Sequence, residues 1–409
     1  MKFRSGLLFG LAVLLAGFVG YRLGQWNTSL SIKNWKPALV KNQGPAANSS
    51  AANVDFTLFW TVWDKMNAMY VDKNKLDSKK MVDGAIEGMV AAIGDPYTMY
   101  LPVTQNKETK EDLGGAFEGV GIQLGFKDQR LAVMSPLDGS PAAKAGVKAG
   151  DLILKIVDQK NKVEKLTNGM TTFEAMKLIR GTKGTDVVLT LGREGNEKPF
   201  DVTLTRDTIV VKSVTLSFKD SNKGKKIALL KLSRFGDRTQ DEWNEAVGSI
   251  ISDGAKGVVL DLRNNPGGYL EGAVYTAGEF LSPGDLVVTQ QYGDGSKIEN
   301  KVTRNGRVLT LPVVVLVNKG SASAAEILSG ALQDHKRAKI LGEQSFGKGS
   351  VQQPEDFPDG SGIHVTVAKW LRPSGDWIDH KGVTPDVVVK GQEKETDPDE
   401  QLNKALEML

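Results

Sequence analysis

The sequence predicts an α+β multidomain chain in which an N-terminal anchor and helices precede a small β-rich domain and an α/β core rich in βαβ units. The length of 409 residues corresponds to two or three domains at about 100 to 200 residues each. Between residues 116 and 208, short strands alternate with glycine turns, which indicates a β-rich module. After residue 210, β-branched segments alternate with helical stretches, which is typical of an α/β core.

The first 25 residues have the pattern of a targeting segment. Lys2 and Arg4 precede seventeen uncharged residues, Ser5 to Tyr21, in the order of an export signal. As a helix this run is about 26 Å long, the lower limit for crossing a bilayer. Because no A-x-A cleavage site directly follows it, we expect an uncleaved signal-anchor that crosses the cell membrane once and leaves the rest of the chain outside the cytoplasm. The alternative is secretion after signal cleavage.

The rest of the chain divides by composition and periodicity. A polar linker occupies residues 26–54. Apolar residues then return at helical spacing from Asp55 to Ile93, which predicts two amphipathic helices. The predicted segments are an N-terminal helical region at 55–112, the β-rich domain at 116–208, the α/β core at 209–391 and a C-terminal helix at 392–409.

Individual elements follow from local pattern. In the β-rich domain we expect a strand at Ile122–Phe126, a helix at Thr172–Ile179 and a strand at Phe200–Leu204. In the α/β core we expect alternating strands and helices. Their predicted order is strand Ile227–Leu232, helix Thr239–Asp253, strand Val258–Asp261, helix Leu270–Leu281, strand Val313–Val317 and helix Ser323–Asp334.

Composition excludes several kinds of chemistry. The net charge of +3 favours neither nucleic acid nor another strongly anionic partner. The absence of cysteine excludes disulfides, zinc ribbons and a thiol nucleophile, and only three histidines are present for a metal site or a histidine-based triad. We therefore expect no metal and no other cofactor.

A glycine turn in the β-rich domain can bind a carboxylate. Phe117–Ile122 places two glycines at a turn that enters a strand, where N–H groups converge on an anion and the strand edge can pair with a peptide. For the glycines alone, an ordinary β-turn is the alternative. With Ser140–Val147, Gly150–Leu154 and the helix before Gly181, however, about ninety residues resemble a PDZ domain.

The PDZ resemblance implies a role for four residues. Val120, Gly121 and Ile122 would offer their N–H groups to the C-terminal carboxylate of a protein tail. Arg180 would add a contact to the peptide or to the α/β core, and a solvated arginine at a helix end is the alternative.

Three segments of the α/β core carry more Gly, Ser and Lys than packing requires. Val258–Gly268 is a buried strand that breaks into a glycine loop, whose N–H groups suit an oxyanion. Ser323 begins a helix after a buried strand and, with Glu326, also fits a capping box, a purely structural interpretation. The third segment is Ser345–Gln352, in which strand alternation would place Lys348, Ser350 and Gln352 on one face.

A nucleotide-binding alternative is disfavoured. Gly342–Gly349 approximates the phosphate-binding G-x-x-x-x-G-K-[ST] motif and fails at its last position. That motif requires a following helix, which Gln352-Gln353-Pro354 and the segment Phe357–Gly360 exclude.

Taken together, the segments resemble the carboxyl-terminal processing (tail-specific) serine proteases over residues Phe59 to Val389. The resemblance implies Ser323 as nucleophile, Lys348 as general base and Gln352 as the residue that orients the lysine. The matching segments are Ala85–Met89, Gly94–Thr98, Asn265–Gly268, Gly320–Ile327, Phe346–Gln352 and Gly382–Asp386.

The same resemblance assigns the oxyanion hole to the N–H of Ala324 together with that of Gly267 or Gly268. The dyad is chemically coherent, because a free lysine of pKa about 10.4 becomes a base only when it is desolvated. A serine with its base and an orienting group follows the logic of a catalytic triad without histidine.

We therefore expect an extracytoplasmic serine endopeptidase that binds C-terminal protein tails through a PDZ domain and cuts with a Ser/Lys dyad. The resemblance also implies a homodimer or higher oligomer formed through the N-terminal helices and the C-terminal region. The alternative function is a non-catalytic tail-binding adaptor or chaperone at the membrane.

Overall fold

The structure is a computed structural model that describes residues 28–33, 36–41, 54–137, 139–392 and 397–409. The predicted targeting segment, 1–25, and most of the predicted linker lie outside the described residues. Among the described helices, none is both long and apolar enough to cross a bilayer. The chain separates into two compact units, Met1–Met81 and Val82–Leu409.

The first unit contains a hairpin and an exposed helix. Strands β1 (Thr28–Lys33) and β2 (Lys36–Lys41) pair in antiparallel register. Helix α1 (Thr57–Met69) buries none of its residues, and a single 3₁₀ turn follows at Lys73–Lys75. Helix α2 (Ser78–Ala91), which begins in the first unit and continues into the second, is the second helix that the apolar periodicity predicts, so both predicted helices are present.

Strand β3 (Met99–Leu101) and helix α3 (Val103–Gly114) lead into the β-rich domain. The chain enters that domain through β4 (Ala116–Gly119). The domain's strands form a sheet in the order β10-β9-β7-β6-β5, with β8 paired to β7. These strands are β5 (Ile122–Lys127), β6 (Arg130–Pro136), β7 (Leu152–Asp158), β8 (Val163–Leu166), β9 (Asp186–Gly192) and β10 (Phe200–Thr205).

Two helices close the β-rich domain around one apolar core. They are α4 (Pro141–Lys144) and α5 (Thr172–Ile179), and α5 has the predicted bounds. The chain leaves through β11 (Asp207–Val210), which pairs antiparallel with β4. The entry and exit strands therefore form a two-stranded ribbon between the β-rich domain and the α/β core.

The α/β core is built on a six-stranded sheet in the order β12-β13-β14-β17-β18-β21. Its strands run parallel from β13 onward, and β12 is antiparallel to β13. All five residues of β17 are buried, as expected for a parallel strand with both faces covered. The strands are β12 (Val214–Asp220), β13 (Lys226–Leu232), β14 (Val258–Asp261), β17 (Val313–Val317), β18 (Lys339–Gly342) and β21 (Val387–Val388).

Four helices flank this sheet. Each lies within its predicted segment, and α9, in the predicted C-terminal helix at 392–409, packs its Ala405 into an apolar cluster with strands β14, β17 and β18. The helices are α6 (Thr239–Ser252), α7 (Leu270–Ala277), α8 (Ala324–Asp334) and α9 (Glu400–Met408). Because β14 and β17 are parallel neighbours, the loops after both strands emerge at the same edge of the sheet.

A second sheet, which the sequence analysis did not predict, has the order β16-β15-β20-β19, with β3 paired to β20. Its strands are β15 (Leu286–Tyr292), β16 (Lys297–Lys301), β19 (Ser350–Asp356) and β20 (Gly362–Leu371). Lys348 precedes β19 and lies in a loop, so its predicted place on the strand is wrong. Two tryptophan indoles bind the loop carbonyls: Trp370 Nε1 donates to Lys348 O and Trp377 Nε1 to Gly349 O, both at 2.8 Å.

Candidate active site

A cleft of about 610 Å³ lies where the parallel sheet and the second sheet meet. Five predicted site residues line it: Gly267, Gly268, Ser323, Lys348 and Gln352. They lie in three segments of the chain. The two glycines follow β14, Ser323 follows β17, and Lys348 and Gln352 lie just before and within β19. His364 on β20 also lines the cleft, although the sequence analysis gave it no role.

Ser323 has a strained backbone between β17 and α8. Its φ of 53° and ψ of −117° lie outside the regions that residues with a side chain normally occupy. The Ser323 N–H donates to Glu326 Oε2 at 2.8 Å, which is the glutamate half of the predicted capping box. The preceding Ala322 N–H donates to Asn265 O at 2.9 Å and so joins this turn to the glycine loop. The capping interpretation and the site interpretation therefore apply to the same residue.

Glu326 is the site residue whose importance the sequence analysis missed. Its carboxylate is fully buried and, besides the N–H of Ser323, accepts Ser345 Oγ at 2.6 Å, the Gly347 N–H at 2.6 Å and the Lys348 N–H at 3.0 Å. Burial raises the pKa of Glu326, and these hydrogen bonds oppose the rise. An acidic residue in a helix that is otherwise apolar and small, Ala-Ala-Glu-Ile-Leu, is the sequence signal for this role.

Lys348 has the environment that a lysine base needs. Burial lowers the pKa of its half-buried amine, while the charges of Asp95 and Glu326 act in the opposite direction. The amine lies 4.9 Å from the centre of the Tyr97 ring. Among the described residues, no hydrogen bond joins this amine to Ser323.

Gln352 lies in the cleft but is held by other residues. Its Nε2 donates to Ser350 Oγ at 2.9 Å and to Thr366 Oγ1 at 3.0 Å. Within the described part of the chain, Gln352 has no hydrogen bond to Lys348, so its orienting role stays a prediction.

The two candidate glycines of the oxyanion hole differ in their hydrogen bonds. The Gly267 N–H donates to Asn265 Oδ1 at 2.8 Å and is therefore occupied. Gly268 lies opposite Phe235 in a parallel β-bridge. The residues on either side of Gly268 make its two hydrogen bonds: the Phe235 N–H donates to Gly267 O, and the Tyr269 N–H donates to Phe235 O. Over the described residues, neither the Gly268 N–H nor the Ala324 N–H has a hydrogen-bond partner.

Only glycine fits at either position. Gly267 has a φ of 100°, and a Cβ there would lie 2.7 Å from Ser323 Cβ and 3.0 Å from Ala324 N. At Gly268, with a φ of 132°, a Cβ would lie 1.9 Å from Phe235 O. Gly267 therefore lets the loop approach the serine turn closely, and Gly268 lets it approach the backbone of Phe235.

The predicted carboxylate turn opens into an apolar groove of about 320 Å³ in the β-rich domain. Val120, Gly121 and Ile122 line one end of it, and Leu124 and Met176 are among its apolar walls.

Arg180 also lines this groove, and it is not freely solvated. Its guanidinium lies 4.2 Å from the centre of the Phe117 ring and 3.5 Å from Glu111 of α3. The side chain is therefore held between β4 and α3, and its contact with a bound peptide stays a prediction.

Comparison with known families finds matches for both the β-rich domain and the α/β core. Residues 119–204 match the PDZ domain, residues 226–389 match "Peptidase family S41", and residues 14–109 match "Activating protease CtpB N-terminal domain". The fold and the cleft are therefore those of a PDZ-containing peptidase.

Individual relatives identify the family. Carboxy-terminal processing protease CtpA of Bacillus subtilis is 41% identical over 330 residues, which cover 80% of this chain and 68% of the relative. The carboxy-terminal-processing protease of Bartonella bacilliformis is 38% identical over 340 residues, 81% of this chain and 74% of the relative. The chain belongs to peptidase family S41, with the carboxy-terminal processing serine proteases.

Other relatives differ in length and in structural coverage. A "Probable CtpA-like serine protease" of Staphylococcus aureus is 39% identical, and the chain spans 63% of that relative's own length. The solved structure of photosystem II D1 C-terminal processing protease is 30% identical, with a TM-score of 0.50 over 86% of this chain and 96% of that chain.

Replacing the buried carboxylate tests whether Glu326 organises the site. In Glu326→Gln an amide NH₂ would face N–H and O–H donors, so the serine turn and the lysine loop separate. We expect kcat/KM to fall by about 100-fold, the effect of displacing reacting groups by about 1 Å. Steady-state cleavage of a tail-bearing peptide measures this.

Glu242→Gln is the matched control for the Glu326 variant. Glu242 is also buried and accepts the N–H groups of Ser213 and Val214, at 2.7 and 3.1 Å, but does not line the cleft. This variant is expected to lose stability and keep its kcat. Equal loss of kcat in both variants would contradict a specific role for Glu326.

Proposed function

We propose that the chain is a serine endopeptidase that hydrolyses protein substrates held by their C-terminal tails, with Ser323 as nucleophile and Lys348 as general base. The observation that carries the proposal is the common anchor of the two residues: the buried Glu326 carboxylate accepts the N–H of both. A strained serine and a lysine whose pKa burial lowers are thus fixed at one cleft.

The proposed reaction proceeds in two halves. Lys348 Nζ removes the proton of Ser323 Oγ as that oxygen attacks the carbonyl carbon of the substrate peptide bond. The developing oxyanion accepts the N–H groups of Ala324 and Gly268. Lys348 returns the proton to the leaving amine, and water then hydrolyses the acyl-enzyme by the same proton transfers.

The oxyanion assignment selects Gly268 over Gly267. The Gly267 N–H is already bound by Asn265 Oδ1, whereas the Gly268 N–H has no such partner among the described residues. Within the described part of the chain, Ser323 and Lys348 share no hydrogen bond, and catalytic hydrogen bonds commonly tighten only in the complex with substrate. Gln352, held by Ser350 and Thr366, is proposed to orient the lysine amine in that complex.

The apolar groove of the PDZ domain is proposed to bind the substrate tail. The carboxylate of the tail would accept hydrogen bonds from the N–H groups of Val120, Gly121 and Ile122. The last side chain of the tail would enter the space beside Leu124 and Met176. An apolar C-terminal residue fits such walls best.

Ser323→Ala and Lys348→Ala decide the proposed chemistry. Each variant is expected to lose at least about a thousandfold in kcat, because the two residues act as one unit. The base works as the neutral amine, so kcat/KM should fall as pH decreases through the pKa of Lys348. Burial lowers that pKa, so this limb lies below the usual pKa of lysine, 10.5.

The assay uses the full chain, a denatured protein with an apolar C-terminus and mass spectrometry of the products. Ser252→Ala and Lys256→Ala, both exposed and neither among the residues that line the cleft, serve as controls with unchanged cleavage. Cleavage by Ser323→Ala at the wild-type rate would rule out the nucleophile. A tail that the wild-type chain binds and releases intact would indicate the non-catalytic adaptor.

A substitution in the groove tests whether it binds the substrate tail. Met176→Asp places a charge in the apolar wall and should weaken the binding of an apolar-tailed peptide by on the order of tenfold to a hundredfold. Fluorescence anisotropy on Ser323→Ala protein measures binding without cleavage. Lys177→Asp, the next residue of α5, is the control, since Lys177 does not line the groove. If both variants bind like the parent, the groove is not the tail site.

We also propose that the chain works outside the cytoplasm, held at the membrane by residues 1–25. The support is the order of Lys2, Arg4 and the uncharged run Ser5 to Tyr21. The exposed aromatic face of α1, which includes Trp60, supports self-association through the N-terminal region.

Fractionation of expressing cells tests the location. The chain is expected in the membrane fraction and should be degraded by protease added outside intact spheroplasts. A variant that lacks residues 1–25 should instead be protected in the cytoplasm. Protection of the wild-type chain would contradict the proposal.

A further inference from the structure

The segment Asp95–Thr98, just before β3, lies against the proposed catalytic residues. The Tyr97 ring centre is 4.9 Å from Lys348 Nζ. The segment is internally tied, because Asp95 accepts the Tyr97 N–H at 3.0 Å and Thr98 Oγ1 at 2.6 Å. A half-buried aromatic ring is thus held in place beside the lysine amine.

The same segment is fastened to the second sheet. Thr98 Oγ1 accepts the Thr366 N–H of β20 at 3.0 Å, and Thr366 Oγ1 accepts Gln352 Nε2 at 3.0 Å. Strand β3 continues this attachment by pairing with β20, with Met99 opposite His364. The position of the Tyr97 ring is therefore fixed by the strand that also holds Gln352.

Lys348 is held at its backbone and at its tip. Its N–H donates to Glu326, and its carbonyl accepts Trp370 Nε1 at 2.8 Å. Between backbone and amine lie four rotatable carbon bonds, so fixing the backbone leaves the amine free to move. Among the described residues, the amine lies over the ring of Tyr97 at a distance typical of a cation–π interaction.

We propose that Tyr97 is a positioning residue whose ring face holds the Lys348 amine for proton transfer with Ser323. This inference rests on the proposed role of Lys348 as general base. A ring face attracts the ammonium form more weakly than a carboxylate would. It can therefore locate the amine without preventing its deprotonation. Because a ring face donates no hydrogen bond, the lone pair of the neutral amine stays available to accept the proton of the serine hydroxyl.

The position of Tyr97 determines which kinetic parameter responds. Tyr97 is not among the residues that line the catalytic cleft, so the proposal places its ring against the lysine and not against the substrate. Loss of the ring should therefore lower kcat and leave KM unchanged. The ring, and not its hydroxyl, is the required feature, so phenylalanine should replace tyrosine.

The test compares four variants of the full chain on a fluorogenic peptide with an apolar C-terminal tail. Tyr97→Leu and Tyr97→Met, which fill the space without an aromatic face, should each lose on the order of tenfold in kcat with KM within about twofold. Tyr97→Phe should retain kcat within about twofold. Tyr70→Leu, an exposed tyrosine of the first unit, is the control with unchanged kinetics. Thermal melting of each variant verifies its fold.

Three results would overturn the inference. These are wild-type kcat in the folded Leu or Met variant, an equal loss in the Phe variant, and a loss that appears in KM alone. Ser323→Ala tests the underlying function separately. If Ser323→Ala is inactive and Tyr97→Leu keeps its kcat, only the positioning role fails. If Ser323→Ala stays active, the proposed function itself fails.

Discussion

The buried carboxylate of Glu326 is the constraint on which the geometry of the cleft depends. A parallel sheet brings the ends of β14 and β17 to one edge, but this places loops only approximately. Glu326 accepts donors from both the serine turn and the Ser345–Lys348 loop. A buried acceptor with four donors is costly to break, because each donor would remain unpaired away from water. The strained backbone at Ser323 is stable because this network holds it.

The burial that makes Glu326 a strong anchor also changes the pKa of Lys348. Burial raises the pKa of Glu326 and lowers that of Lys348, so both groups move toward their neutral forms. The surrounding carboxylates limit the effect at the lysine. The base thus depends on a balance between desolvation and two nearby negative charges, those of Asp95 and Glu326. His364 lines the same cleft, but it shares no backbone anchor with Ser323, which favours the lysine as the partner of the serine.

Much of the fold could be predicted because its elements are specified locally. Helix α5 and strands β14 and β17 have their predicted bounds, since each has a local signal: helical apolar spacing in α5, and a short β-branched run in each of the two strands. The second sheet consists of two local hairpins, β15–β16 and β19–β20, but the pairings that join them and β3 into one sheet, those of β15 and β3 with β20, are distant in sequence and were missed. Lys348 was assigned to a strand by alternation, yet indole donors occupy the carbonyls of its loop. Tertiary contacts of this kind leave no periodic signal.

Side-chain identity alone also could not separate the two roles of Ser323 and Glu326. A capping box and a catalytic turn use the same serine and the same glutamate, and the structure contains the glutamate half of that box together with the lysine loop. The choice between Gly267 and Gly268 likewise depends on the side-chain oxygen of Asn265, whose hydrogen bond to the Gly267 N–H the Asn265–Gly268 motif does not reveal.

Helix α3 connects the two sites of the second unit. Its Glu111 lies 3.5 Å from Arg180, which lines the PDZ groove, and its next residue, Asp112, pairs with Arg234. Asp112 and Arg234 both line the catalytic cleft. Neighbouring residues of one helix therefore contact the wall of the groove on one side and the wall of the cleft on the other. The ion pair of Arg180 and Glu111 thus joins the groove wall to a helix that also forms part of the cleft.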